Sequence, residues 1–537
     1  MAIPLKNNKA FFILASATLA VRLIFSWTDM SFLLSRVVDD AFYYFKTAHY
    51  IVTEGISTFD GINLTNGYHP LWMLCILPVF FFTKGSPELS IHLVMTLQVI
   101  LLGGILFLFG KILYNRFGSP FPLIGLAVLL WPRFLSQTEY GLEAGLLILF
   151  LLISSSYALN NRIFTSLQDN GKFIRFGIIL ALVFLARLDS VFYLLSAAIY
   201  ILSGIFVRGR ATQSQLIKSG LFKKILFIFI PASLIPLPYL AWNYFTFGHL
   251  TPISGSLKHS FPVPTFNPGY VIQFSEFFII VIIAFAFLAA LFFNKQSISK
   301  FIPDEDYRAV LTVLALYVVI HFFDTIFFMR WAVFRWHFAG YTVFLVLVLP
   351  VLTGIAESFL KNSFNISLSQ TAKTLLLCML IASAIIFQAL SIRRSINNQL
   401  QYECYKEALW IKENTGNDDI FMLEDAGIIA YFSERKVINI DGVINNFELQ
   451  DYLKRREFQK YIHDKKIKYF VHHAFWNNPE IRNGKYDNYI FTSFSHLYDV
   501  PGGTIKFKRS DEIYRSPEYD HFGEKTVLII WEIPETT

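Results

Sequence analysis

The chain has 537 residues, of which 54% are hydrophobic, 17% aromatic and 16% charged. That charge fraction lies well below the ~25% of soluble proteins, which argues against a soluble globule and predicts a polytopic membrane protein. The net charge of +7 falls largely in short connections between apolar runs, where it reports orientation and not nucleic-acid binding. Cys75, Cys378 and Cys404 are odd in number and far apart, so they define neither a disulfide framework nor a metal cluster.

Lys6 and Lys9 precede a first apolar run that ends near Trp27 without a small-residue cleavage site, which predicts a retained signal anchor. Val37-Val38-Asp39-Asp40-Ala41-Phe42-Tyr43-Tyr44 follows almost directly. Two adjacent carboxylates at the end of a membrane helix are costly to desolvate, so they mark a functional site unless the loop is simply solvated. A loop rich in Gly, Asn, Asp and Tyr then runs from Gly55 to Asn66-Gly67-Tyr68-His69-Pro70-Leu71-Trp72 and re-enters an apolar run.

Apolar runs of bilayer length lie at roughly 10–29, 70–83, 88–114, 120–136, 140–159, 173–188, 190–207, 224–243, 271–293, 308–328, 333–356 and 371–391, giving ten to twelve crossings. Arg208, Arg210, Lys218, Lys223 and Lys224 make 208–224 the most basic connection, and the positive-inside rule places it in the cytoplasm with the N-terminus. If all twelve runs crossed, that connection would fall outside. One short segment between 70 and 188 therefore fails to cross or forms two half-helices. The Asp39–Asp40 loop and the C-terminal part are expected outside the cytoplasm, with the chain in the cell inner (plasma) membrane.

Several charges interrupt the apolar runs. Glu139 and Glu143 lie four apart, as on one helix face, and read either as interfacial acids or as site carboxylates. Arg187 and Asp189 read as a hairpin pin or a substrate contact. Lys258 is a lone cation after Gly248-His249-Leu250-Thr251-Pro252. Arg330, Arg335 and His337 sit among aromatic residues, where they either snorkel to headgroups or bind a lipid-linked phosphate.

From residue 395 charges become frequent and apolar runs shorten. This divides the chain into a membrane domain, 1–394, and a soluble α/β domain, 395–537. A helix is predicted over 399–414, strands over 419–423, 436–440 and 466–471, and a charged helix over 447–463 between the last two. Later stretches at 489–494, 504–508 and 527–533 read as further strands. No dinucleotide fingerprint, Walker loop or H-E-x-x-H motif occurs, which argues against a nucleotide-driven pump.

Asp39-Asp40, Asn66 through Trp72, Gly141-Leu142-Glu143, Leu185 through Asp189, and Gly248 through Pro252 to Lys258 occur in that order. Together they resemble the GT-C class of integral-membrane glycosyltransferases, nearest to bacterial arabinofuranosyl- and mannosyltransferases that use polyprenyl-phosphate sugars. Asp425-Ala426-Gly427-Ile428 and Val437 through Gly442 resemble their extracytoplasmic domain. The chain departs from the pattern at Leu188, where proline is expected, and at Arg335-Trp336-His337, where Arg-Tyr is usual.

The resemblance implies an inverting sugar transfer from a polyprenyl-phosphate donor to a glycan, lipid or protein acceptor outside the cytoplasm. Asp40, or else Asp39, would be the general base. Tyr68, His69 and Glu143 would line the substrate site. Lys258, Arg335 and His337 would stabilise the leaving phosphate. A divalent cation suits such carboxylates but is not assigned. The competing class is a transporter or lipid flippase, which shares the spans and the intramembrane charges. Such proteins often carry internal repeats with paired broken helices, and no repeat is visible between the halves.

Overall fold

How far an apolar run continues before something interrupts it decides whether it becomes a bilayer-length helix. The computed structural model describes residues 8–84, 86–167, 169–207, 220–269, 273–473, 475, 477–521 and 523–534. Among these, six helices are long and apolar enough to cross a membrane: Pro87–Phe117, Ala144–Asn161, Ser275–Phe293, Glu305–Phe328, Arg335–Phe364 and Gln370–Asn414. Leu221–Leu234 and Leu237–Phe247, bent by 41°, add a seventh if taken as one span.

Ten to twelve crossings is therefore a correction to make, and chain length supplies the reason. A helix rises 1.5 Å per residue, so ~20 residues are needed to cross ~30 Å of hydrocarbon. The run near 120–136 is cut at Trp131-Pro132 into Phe121–Leu129 and Pro132–Leu135. Pro70–Thr83 has 14 residues, and Lys9–Phe25, Asn170–Ala186 and Val191–Val207 have 17 each.

The bundle has two chemically different ends. Ala144–Asn161 has 18 residues, about 27 Å of helix, and starts beside Glu143. At its far end Arg162 bonds Asp306 at 3.2 Å, Arg116 pairs with Asp304, and Lys224 donates to the carbonyls of Phe164 and Ser166 at 3.1 and 3.0 Å. Glu305–Phe328 then returns and carries Asp324 to the end where Glu143 lies. The described part of the basic 208–224 connection thus sits at the end opposite Asp40. Residues 208–219 and Lys6 lie outside the described residues.

The stretch after Val38, expected as a loop, folds as the helix Asp39–Glu54, with Ala41 through Ala48 buried. It is clasped between the bundle and the C-terminal domain. Phe42, Phe45 and Phe80 pack against Tyr431 and Phe432 with ring centroids 5.6–6.4 Å apart. Burying each such ring contributes about 1.5–3 kcal/mol.

The C-terminal domain begins with the helix Leu400–Asn414. Its strands are β1 (Ile420–Leu423), β2 (Lys436–Asn439), β3 (Tyr469–His472), β4 (Asn488–Ser495), β5 (Val500–Lys508), β6 (Glu512–Arg515), β7 (Tyr519–His521), β8 (Glu524–Thr526) and β9 (Ile529–Glu532). The main sheet has the order β2-β1-β3-β9-β6, parallel across β2-β1-β3 and antiparallel beyond, over a core that includes Met422, Ile438, Phe470 and Trp531. The charged helix expected over 447–463 is two helices, Phe447–Lys454 and Phe458–Asp464. Arg456 takes a left-handed φ of 59° between them, which no continuing helix tolerates.

Candidate active site

Sequence-distant polar residues meet in one cavity of about 770 Å³ at the interface of the bundle and the C-terminal domain. Its lining includes Asp40, His69, Glu143, Lys258 and His337 of the predicted set, and also Arg187, Asp189, His321, Asp324 and Arg330. Val443 and Leu497 close it from the C-terminal domain.

Asp39 and Asp40 open one helix but face different partners. Both oxygens of Asp39 accept backbone N–H bonds of 2.8 Å, from Gly427 and Ile428. They cap the first turn of Gly427–Ser433, where orphan donors and the helix dipole favour an anion. The approach is so close that a Cβ on Gly427 would lie 2.2 Å from the Asp39 carbonyl oxygen. Asp40 lines the cavity, and its side chain makes no hydrogen bond or ion pair with the described residues. Burial raises its pKa; the Lys258 charge opposes this, and Asp441 and Glu143 reinforce it.

The Lys258 side chain likewise makes no hydrogen bond or ion pair among the described residues and faces the same cavity. Its position traces back to the Asn66-Gly67 motif. The Asn66 side-chain oxygen accepts from Ile253 N at 3.0 Å, at the first residue of the helix Ile253–Lys258, while its amide donates to Asn243 at 3.1 Å. Gly67 is forced by contact, since a Cβ there would lie 2.4 Å from the carbonyl oxygen of Val443. Arg330 fixes the other end of the segment, donating to the carbonyls of Leu257 and Ser256 at 2.9 and 3.0 Å. Its guanidinium is thereby engaged, and Lys258 is the uncommitted cation of the pair.

The remaining charges form a buried network. Arg187 forks onto Asp189 with bonds of 3.1 and 2.6 Å and reaches Glu143 at 2.6 Å. Glu143 also accepts from Tyr44 at 2.9 Å and lies 3.7 Å from His69 Nε2. His69 Nδ1 accepts from Leu188 N at 3.2 Å, and burial lowers the pKa of the ring. Arg187 thus pins the tip between Asn170–Ala186 and Val191–Val207 and also walls the cavity. His337 Nδ1 is tied to the Phe334 backbone at 3.1 Å, leaving Nε2 as its free ring nitrogen.

The structure separates what sequence spacing had joined. Glu139 and Glu143 do not share a helix face, because Gly141 takes a φ of 79° between them. Glu139 turns to Arg22, at 2.7 Å, and Arg36. Tyr68 hydrogen-bonds Ser57 at 2.7 Å and does not line the cavity. Arg335 lines a different cavity and bonds Glu276 at 3.3 Å. Three titratable cavity residues are not singled out by the sequence, His259, His321 and Asp324. His259 Nε2 lies 2.9 Å from Asp324, and His321 lies 3.7 Å from Asp189. An acid inside the apolar run 308–328 was the signal that could have found Asp324. No group of three or more His, Cys, Asp or Glu among the described residues is arranged to hold a metal ion.

Residues 391–517 match a family described as a domain of unknown function (DUF8728). No curated protein matches the chain. Among solved structures, the archaeal oligosaccharyltransferase AglB from Archaeoglobus fulgidus, in complex with an inhibitory peptide and a dolichol-phosphate, is 12% identical with a TM-score of 0.49. That likeness covers 87% of this chain and 70% of AglB. ArnT from Cupriavidus metallidurans in the apo state is 10% identical with a TM-score of 0.49, over 98% of each chain. The same protein bound to undecaprenyl phosphate gives 11% and 0.46, over 97% of this chain and 98% of ArnT. At such identities the chemistry must be read from the site itself.

Proposed function

We propose that the protein is a membrane glycosyltransferase of the GT-C kind. It would move a sugar from a polyprenyl-phosphate donor to a hydroxyl of an envelope glycan, lipid or protein, on the extracytoplasmic face. The observation that carries this reading is the pairing of two uncommitted charges, the Asp40 carboxylate and the Lys258 ammonium, in one cavity of about 770 Å³. A base and a cation whose side chains make no hydrogen bond to protein await a proton and an anion.

In the proposed step Asp40 takes the acceptor proton as the acceptor oxygen bonds to the anomeric carbon. The bond from that carbon to the phosphate oxygen breaks, and the phosphate leaves with the electron pair. A single displacement inverts the anomeric centre. Lys258, with His337 Nε2 near by, meets the charge on the leaving phosphate, whose stabilisation replaces a general acid. Glu143, Arg187 and Asp189 hold the walls. His69, tied to Leu188 N, is positioned to contact the sugar or acceptor.

The test is a comparison of lipid-linked sugars and envelope glycans by mass spectrometry, with and without the protein, repeated with Asp40→Asn. Accumulation of a polyprenyl-phosphate sugar in both the deletion and the Asp40→Asn strain supports the reading. Unchanged transfer by the Asp40→Asn protein removes it.

A further inference from the structure

A second cavity, of about 820 Å³, lies back to back with the first. Val37 and Val38 line it and lead directly into Asp39 and Asp40. Tyr140 faces it, while Leu142 and Glu143 face the other; Arg335 faces it, while Trp336 and His337 face the other. Two short turns thus form a shared wall.

This second chamber is basic. Arg36, Arg133, Arg335 and Arg394 converge on it from four separate segments, against the single lining carboxylate Glu139. Counting the partners that touch this set adds Arg22, which pairs with Glu139, and Glu276, which pairs with Arg133 and Arg335. Five arginines then face two carboxylates, an excess of three positive charges. Each carboxylate is shared by two guanidiniums, which fixes the arginines while leaving N–H donors over, because a guanidinium carries five. Arg394 makes no ion pair among the described residues and is exposed.

One wall is apolar and aromatic. Trp131 packs on Phe387 with centroids 4.7 Å apart, and Leu390 continues the face. Phe387 and Leu390 belong to Gln370–Ile396, a helix whose apolar side chains are largely exposed, Phe387 by 46% and Leu390 by 54%. On a span, such a face meets lipid chains. The chamber therefore joins an anion-binding lining to an acyl-facing edge.

We infer that this cavity binds the phosphate headgroup of a membrane lipid, with the headgroup among Arg36, Arg133, Arg335 and Arg394 and the chains along Phe387 and Leu390. Planar guanidiniums suit phosphate through bidentate bonds. The inference does not depend on the transferase reading, since neither Asp40 nor Lys258 takes part.

Native mass spectrometry of the full-length protein in detergent, titrated with dioctanoyl phosphatidic acid, tests it. The wild type should hold one phosphatidic acid in preference to dioctanoyl phosphatidylcholine. Arg133→Gln with Arg394→Gln should weaken that binding by roughly tenfold or more, since each change removes a charge-assisted contact. Both side chains are at least part-exposed, so the fold should survive, and Lys300→Gln, an exposed position at the opposite end of the bundle, should leave the binding unchanged. Inorganic phosphate should compete only weakly. Competition as strong as that of the lipid would overturn the lipid assignment in favour of a free anion. Equal retention of both lipids, or unchanged retention by the double variant, would overturn the site.

Discussion

Asp39 and Asp40 are neighbours with separable tasks, and substitution of each should fail in a different way. Asp39 accepts two bonds of 2.8 Å from the first turn of the helix Gly427–Ser433. Asn at that position keeps one oxygen but turns an NH2 toward the other backbone N–H. One charge-assisted bond becomes neutral and one buried donor loses its partner, costing about 2–4 kcal/mol in all. That loss falls on the contact holding the C-terminal domain to the bundle. Asp39→Asn should therefore lower the thermal midpoint of the purified protein and expose the region near residue 395 to limited proteolysis. Asp40 makes no protein hydrogen bond, so Asp40→Asn should leave the thermal midpoint and the proteolysis pattern near wild type. Turnover should fall by about 10²–10⁴, the usual contribution of a general base, while donor lipid still binds. The assay is thermal unfolding and timed proteolysis in parallel with transfer from a synthetic donor. Full stability with lost turnover in Asp39→Asn, together with retained turnover in Asp40→Asn, would reverse the two roles and refute the reasoning.

Other outcomes follow from the same geometry. In the proposed step Asp40 acts ionised, and its pKa is raised, so transfer should increase with pH through a limb above the ordinary aspartate range. Lys258→Gln removes the charge that favours ionisation and should move that limb to higher pH, whereas Asp441→Asn should move it lower; pH profiles of kcat/KM check both. Gly427→Ala would place a Cβ 2.2 Å from the Asp39 carbonyl oxygen, and the forced separation should destabilise by about 1–3 kcal/mol, read as a lower thermal midpoint. Glu143→Gln removes one of the two buried carboxylates that hold Arg187 and leaves the Asp189 fork, so it should cost about 1.5–3 kcal/mol, read as a lower thermal midpoint. In a cysteine-free background, a membrane-impermeant thiol reagent applied to intact cells should label Asp418→Cys but not Lys223→Cys; the opposite pattern would invert the proposed orientation.

Composition alone determined that this is a membrane chain, because a 16% charge fraction with long apolar runs has no soluble alternative. The C-terminal α/β character was equally legible: the helix expected over 399–414 is Leu400–Asn414, and β1 to β3 lie within two or three residues of the strands read from local alternation. Local patterning carries such elements because they depend on neighbours in the chain. The number of bilayer-length helices was not legible. Hydropathy reports where apolar residues are, not where Pro132 divides them or which helix falls short of bilayer length. The site was half legible for a related reason. Charges inside or at the edges of apolar runs singled out Asp40, Glu143 and Arg187, which are costly to keep there without a task, and Lys258 stood out as a lone cation in a connecting loop. Direction was beyond the sequence. Whether Asp39 or Asp40 faced the cavity depended on a helix 388 residues away docking its first turn onto one of them. Whether Arg335 shared a chamber with Lys258 depended on a turn that points Arg335 and Trp336 into opposite cavities. Both are settled by long-range contacts, and these exist only once the bundle and the C-terminal domain have closed on the helix Asp39–Glu54.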